Sequence, residues 1–148
     1  MKVISINKKA KYDYYLLEFF EAGIVLKGSE IKAVRANGLN LKDSYVRVNN
    51  NLEAYILNLF IPLYKFSNQF NHEERRERKL LLHKREIKKL YHKTKEQSLT
   101  IVPTKAYLKD GRLKLEIALA KGKKNYDKRE AIKERDVKRE IAKTLKNY

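Results

Sequence analysis

Residues 11–26, KYDYYLLEFFEAGIVL, decide the fold class. Tyr12, Tyr14, Leu16, Glu18 and Phe20 alternate with Asp13, Tyr15, Leu17 and Phe19, and aromatic and branched residues dominate. A period of two with that composition reads as a β-strand across Lys11 to Leu26. Gly23 interrupts the run as a bulge or sharp bend does, and Ile24-Val25-Leu26 continues it.

Moving outward, Gly28-Ser29-Glu30 followed by Ile31, Val34 and Arg35 reads as a short helix. Ser29 is the N-cap candidate, Glu30 sits in the positive first turn, and Asn37-Gly38 supplies the stop. Ser44 to Val48 and Leu52 to Leu59 flank Asn49-Asn50-Asn51 and read as a hairpin, with Pro62 limiting its second strand. From Asn71 to Glu96 the pattern changes to helix, with Ile87, Leu90 and Tyr91 sharing a face and His83 marking a break. Leu99 to Leu108 and Arg112 to Ala120 form a second hairpin around Lys109-Asp110-Gly111. Five to seven short strands with a few helices predict a mainly β (α+β) chain, a small closed or partly closed barrel.

Beyond Ala120 the core-forming pattern stops. Ile132, Val137, Ile141 and Leu145 give a thin apolar stripe, and an isolated helix of that charge density is marginal in water. The reading is a barrel domain over 1–120 and a basic tail over 121–148, disordered when free and helical on a partner.

The 148 residues hold 35 Lys and Arg against 18 Asp and Glu, a net charge of +17. The excess concentrates at residues 71–96, with 10 basic and 5 acidic side chains, and at 121–148, with 11 and 5. A body that repels itself so strongly calls for a polyanionic partner, nucleic acid first, and argues for a monomer. With no Cys, a disulfide framework, a thiolate zinc site and a cysteine nucleophile are excluded, which fits a cytoplasmic protein. The longest charge-free run, Ala54 to Tyr64, is 11 residues, too short for a membrane-spanning helix of roughly 20. The opening Met-Lys-Val-Ile-Ser lacks the apolar run of a signal peptide.

Catalytic constellations are sparse. His72, His83 and His92 lie 11 and 9 residues apart, not at the 3 or 4 that places two ligands on one helix face, so no metal is expected. A nuclease using His83 with a nearby Lys lacks a second positioned group. Binding features are richer. Lys121-Gly122-Lys123-Lys124 permits close backbone approach to phosphate, and Tyr126 inside a basic tail suits stacking on a base. In Arg78-Lys79-Leu80-Leu81-Leu82 at least one leucine must be partly exposed, beside cations.

Taken in order, several segments resemble the SsrA-binding protein (small protein B) family. They are Asn7-Lys8-Lys9-Ala10, Phe20-Glu21-Ala22-Gly23, Gly28-Ser29-Glu30-Ile31-Lys32, Asp43-Ser44-Tyr45-Val46, Arg78-Lys79-Leu80-Leu81-Leu82-His83, Ala120-Lys121-Gly122-Lys123-Lys124, Asp127-Lys128-Arg129 and Ile132-Lys133-Glu134-Arg135. The resemblance implies a six-stranded antiparallel barrel of oligonucleotide-binding type with three helices and a basic C-terminal tail. It implies a non-enzymatic protein, without cofactor, that binds the tRNA-like domain of transfer-messenger RNA. With elongation factor Tu and GTP it delivers that RNA to stalled ribosomes, and its tail enters the decoding centre and empty mRNA channel of the small subunit. Glu21, Leu81 and His83 match RNA-binding positions. Lys8, Lys9, Lys11, Lys32, Lys79, Lys121, Lys123 and Lys124 are the candidate cations. Gly122, Tyr126, Asp127, Lys128 and Arg129, with Ile132, Lys133 and Arg135, match the tail that acts in the decoding centre. A protein built permanently into the ribosome on ribosomal RNA is the alternative that composition leaves open.

Overall fold

The computed structural model describes residues 1–66, 71–124 and 128–129. Its described elements run β1 (Lys2–Ile6), α1 (Lys8–Asp13), β2 (Tyr14–Ile24), α2 (Gly28–Asn37), β3 (Tyr45–Val48), β4 (Ala54–Leu57), β5 (Arg78–Leu81), α3 (Lys84–Gln97), β6 (Thr100–Lys109) and β7 (Arg112–Gly122). All strand pairs are antiparallel. The order β6-β3-β4-β5-β2-β7 closes on itself because β7 also pairs with β6. This six-strand ring is the expected barrel of oligonucleotide-binding type, and β1, absent from the sequence reading, adds a seventh strand on β6. Closure leaves few free edges to template aggregation.

Inside the ring the alternation of each strand places Ala22, Ile56, Leu80, Ile101, Leu115 and Ile117 in one apolar core. Helix α3 joins it through Leu90, while α1 covers a smaller cluster in which Ala10 packs with Val102 and Ala120. The β6–β7 turn puts Asp110 at φ 53° and Gly111 at φ 76°. Two consecutive positive φ values suit the right-handed twist of the flanking strands, and glycine accepts the second without strain.

Three expectations need correction. Lys11 to Asp13 belongs to α1 rather than to the strand. The Asn7 side-chain amide donates to the Pro103 carbonyl at 2.9 Å and turns the chain there, so the short helix can bury Ala10. Ser29 is not the N-cap of α2. Lys27 is, and the Glu30 carboxylate accepts its backbone N–H at 2.8 Å. The Ser29 hydroxyl faces inward to His72 Nδ1 at 2.9 Å, while His72 Nε2 donates to the Ile61 carbonyl at 3.0 Å. Finally, the helix expected from Asn71 begins only after His83, and Arg78 to Leu81 is a strand.

The cause of that last difference is one buried cation. Arg78 is fully enclosed, its Nε donating to the equally enclosed Glu30 carboxylate. Its other nitrogens donate to the carbonyls of Leu59 (2.8 Å), Arg76 (3.1 Å), Glu74 (3.2 Å) and Glu73 (3.3 Å). Arg76 reaches the second Glu30 oxygen at 2.5 Å. Burial pushes the Glu30 carboxyl up, but hydrogen bonds from Arg76, the Lys27 amide and Arg78 outweigh it and hold it below the ordinary value. The pair ties β5 to α2 and organises the irregular segment before it.

Candidate nucleic-acid interface

Strand β2 faces the interior with Phe20 and Ala22 and presents Glu21 outward. Glu21 lies opposite Glu116 on β7. Two carboxylates at that spacing repel, and neighbours on β6 separate their roles. Lys105 pairs with Glu116 at 3.1 Å. Tyr107 donates its hydroxyl to Glu21, and Lys109 stands 3.7 Å from the same carboxylate. The Tyr107 hydrogen bond is the main cause holding the Glu21 carboxyl below its ordinary range, with Lys109 and Lys114 adding to it against some desolvation. Burial, and then the hydrogen bond to Glu21, raise the Tyr107 phenol well above its usual range, so it stays a neutral donor.

Two residues further along β2, Gly23 pairs with Leu81 on one side and with Lys114 on the other. A Cβ on Gly23 would stand 3.3 Å from Leu81 Cβ and 3.6 Å from the Lys114 amine. The missing side chain therefore lets Leu81 lie over β2 while remaining 55% exposed. This satisfies the expectation of an exposed leucine, and the other two follow the strand alternation, Leu80 inward and Leu82 half-buried. Beyond Leu82 the exposed His83 caps α3, where Glu86 accepts its backbone N–H at 3.1 Å. Glu21, Gly23, Leu81, Leu82, His83, Glu86 and Lys114 together line one open cleft of about 300 Å³. A second hollow beside it is lined by Glu21, Lys109, Asp110, Arg112 and Lys114.

The cleft and the hollow beside it offer an apolar platform for a base or sugar, a fixed carboxylate acceptor, an imidazole and the cations Lys109, Arg112 and Lys114. A carboxylate there can accept from base amino groups or a 2′-hydroxyl. Sequence reasoning missed Tyr107, Lys109, Arg112 and Lys114. A usable signal was present: on the two-residue period of the second hairpin, Arg112 and Lys114 fall on one face.

The predicted residues do not form a single site. Lys79, exposed and paired with Glu53 at 3.4 Å, and Lys32, 6.0 Å from the centre of the Tyr64 ring, do not line the cleft. Lys8, Lys9, Lys11, Lys121, Gly122, Lys123 and Lys124 gather at the opposite end of the β2–β7 pair, where Tyr14 faces Gly122. Seven residue steps from Tyr14 to Glu21 make that separation about 23 Å. There the Lys123 amide donates to the Asp13 carbonyl at 2.8 Å, its amine donates to the Lys11 carbonyl at 3.0 Å, and Lys128 pairs with Asp13 at 3.3 Å. The sheet thus runs through Gly122, two residues past Ala120. Arg129 is exposed. Tyr126, Asp127, Ile132, Lys133 and Arg135 lie outside the described residues.

The histidines are dispersed: His72 is buried against Ser29, His83 borders the cleft and His92 is exposed on α3. Among the described residues no group of three His, Cys, Asp or Glu side chains is placed to hold a metal ion, and no helix is long and apolar enough to cross a membrane.

Known proteins are similar to this chain in sequence and in fold. The family described as "SmpB protein" matches residues 4–147. A protein of Persephonella marina named SsrA-binding protein is 57% identical over 146 residues, covering 99% of this chain and 95% of that one. One of the same name from Thermosipho africanus is 56% identical over 147 residues, covering 99% and 98%. A solved structure described as "tmRNA-SmpB: a journey to the center of the bacterial ribosome" superimposes with a TM-score of 0.68 at 40% identity, covering 86% of this chain and 93% of that one.

Proposed function

The chain belongs to the SmpB protein family, and from that premise we propose that it is the transfer-messenger RNA-binding protein of trans-translation. The cleft of Glu21, Leu81, His83 and Lys114 takes the tRNA-like domain of that RNA. The complex, with elongation factor Tu and GTP, reaches ribosomes stalled without a stop codon. The chain acts in the cytoplasm, as one folded body over the barrel and one basic tail after it. The tail, with Tyr126 and the Asp127-Lys128-Arg129 triplet, serves the decoding centre and the vacant mRNA channel. The protein supplies binding and positioning, and the bond-making chemistry belongs to its partners.

The observation that carries this reading is the convergence of Glu21, Leu81 and His83 in one cleft. Leu81 and His83 lie 60 and 62 residues beyond Glu21 in sequence, and the β2–β5 pairing sets them beside it on the outer face, where Leu81 and His83 stay exposed. The basic end with Lys8, Lys9, Lys11, Lys121, Lys123 and Lys124, about 23 Å away by strand rise, is the surface that meets a second RNA on the ribosome.

RNA recovered from native cells on the full chain tests the proposal. Transfer-messenger RNA should dominate, and Leu81→Asp should remove it. Recovery of mainly ribosomal RNA fragments, independent of Leu81, would make the chain a permanent ribosome component instead.

A further inference from the structure

We propose that the outer face of α3 is a second phosphate-contacting surface, continuous with the cleft, along which the RNA backbone leaving that cleft runs. This rests on the cleft reading above and extends it to residues that neither the cleft nor the basic tail includes.

At 100° per residue, Lys84, Lys88, His92 and Arg85 fall within an arc of about 100°. All four are exposed, while Leu90 on the opposite side, with Ile87 next to it, is buried against the core. From Lys84 to His92 the row extends about 12 Å along the axis.

Elsewhere on the barrel many cations are occupied. Lys105 pairs with Glu116, Lys79 with Glu53, Arg47 with Glu77, and Lys109 with Glu21. On α3 itself, Lys89 and Lys93 turn toward Glu18 at 2.5 and 3.8 Å. Lys84, Arg85 and Lys88 have no carboxylate within ion-pairing distance among the described residues. Glu86, the one acid of the first turn, is bound to the His83 backbone N–H. The ridge therefore keeps its charge uncompensated where a surface helix usually alternates signs.

Its position gives the direction. His83 lines the cleft and is also the residue that caps α3. An RNA strand seated on Leu81 thus meets the positive end of the helix and then its lysine row. Phosphates are the chemistry such a row fits, since flexible amines and a guanidinium neutralise charge without reading bases.

The test measures affinity for the tRNA-like domain of transfer-messenger RNA against salt, with the full chain. K84Q/R85Q/K88Q should lower the log–log slope by about 2 to 3, at roughly 0.7 to 0.9 for each phosphate no longer neutralised. K2Q/K42Q/K65Q, three cations outside α3 and the cleft, should leave the slope unchanged. Circular dichroism checks that α3 persists, which is expected because Gln keeps helix propensity close to Lys. A slope equal to wild type in K84Q/R85Q/K88Q overturns the ridge even if Leu81→Asp abolishes binding. An equal drop in the K2Q/K42Q/K65Q control also overturns it, because net charge alone would then explain the effect. If Leu81→Asp has no effect while the α3 variant flattens the slope, α3 contacts phosphate but the cleft reading falls, and the proposed path from cleft to ridge is overturned with it.

Discussion

Glu30→Gln isolates what holds the RNA-facing strand in place. Both Glu30 and Arg78 are fully enclosed, so the change leaves the guanidinium of Arg78 buried without its counter-charge. Losing one partner of such a pair costs about 3–5 kcal/mol. Two features of the site place the cost at the low end. Arg76 is 26% exposed and can turn to water, and four backbone carbonyls still accept from Arg78. A loss of about 3 kcal/mol is expected, which for a chain of this size lowers Tm by roughly 10 °C. Urea denaturation at pH 7 measures it. Arg78→Met is expected to destabilise similarly, because the carbonyls of Leu59 and Glu74 lose their donor. The double variant should fall well short of the sum, by at least about 1 kcal/mol, since neither charge is then stranded. Acid adds an independent check. The Glu30 carboxyl is held below its ordinary value of 4.5. Its contribution is therefore complete above that pH and lost as pH falls through the depressed value. Wild type and Glu30→Gln should converge in stability as pH falls below 4.5. A Glu30→Gln protein within about 1 kcal/mol of wild type at pH 7, or strict additivity in the double variant, refutes the account.

Tyr107→Phe removes the main hydrogen bond on Glu21, so the carboxyl should titrate closer to 4.5, followed by carbon-13 NMR of that side chain. Gly23→Val should push Leu81 off β2 and weaken transfer-messenger RNA binding at least tenfold with the melting curve kept cooperative; unchanged affinity would show that Leu81 is not the platform. Removing residues 125–148, which spares all of β7, should leave RNA binding largely intact and abolish peptide tagging on stalled ribosomes. Tyr126→Phe should keep tagging and Tyr126→Ala should lose it, because stacking needs the ring and not the hydroxyl.

Much of the fold is legible one segment at a time. The alternation around Leu16 to Ala22, the Asn49-Asn50-Asn51 turn and the Asp110-Gly111 hairpin are local signals, because side chains one residue apart point to opposite faces and only certain residues accept positive φ. The misread segment, Asn71 to His83, shows where that logic ends. Its Arg and Glu density reads as a solvated helix, and only the folded chain, which buries Arg78 on Glu30, 48 residues away, and pairs Arg78–Leu81 with β4 and β2, makes its end a strand. Lys32 and Lys79 read as contact cations by charge, and the fold sets them outside the cleft, beside Tyr64 and Glu53, neighbours that the sequence does not show.

Charge, residue content and periodicity were enough to give the polyanionic partner class, the absence of cysteine chemistry, the barrel class and the motifs that place the chain in its family. These are properties of the chain itself, and no contact between distant residues is needed to express them. Which motif residues act together is a different matter, and it waited on the folded barrel. Folding sets Leu81 on Gly23, gives Glu21 the Tyr107 hydroxyl, and carries the α1 and β7 lysines to the far end of the sheet. Strand pairing between residues 58 to over 100 positions apart makes those neighbours, and that register arises only when the ring closes.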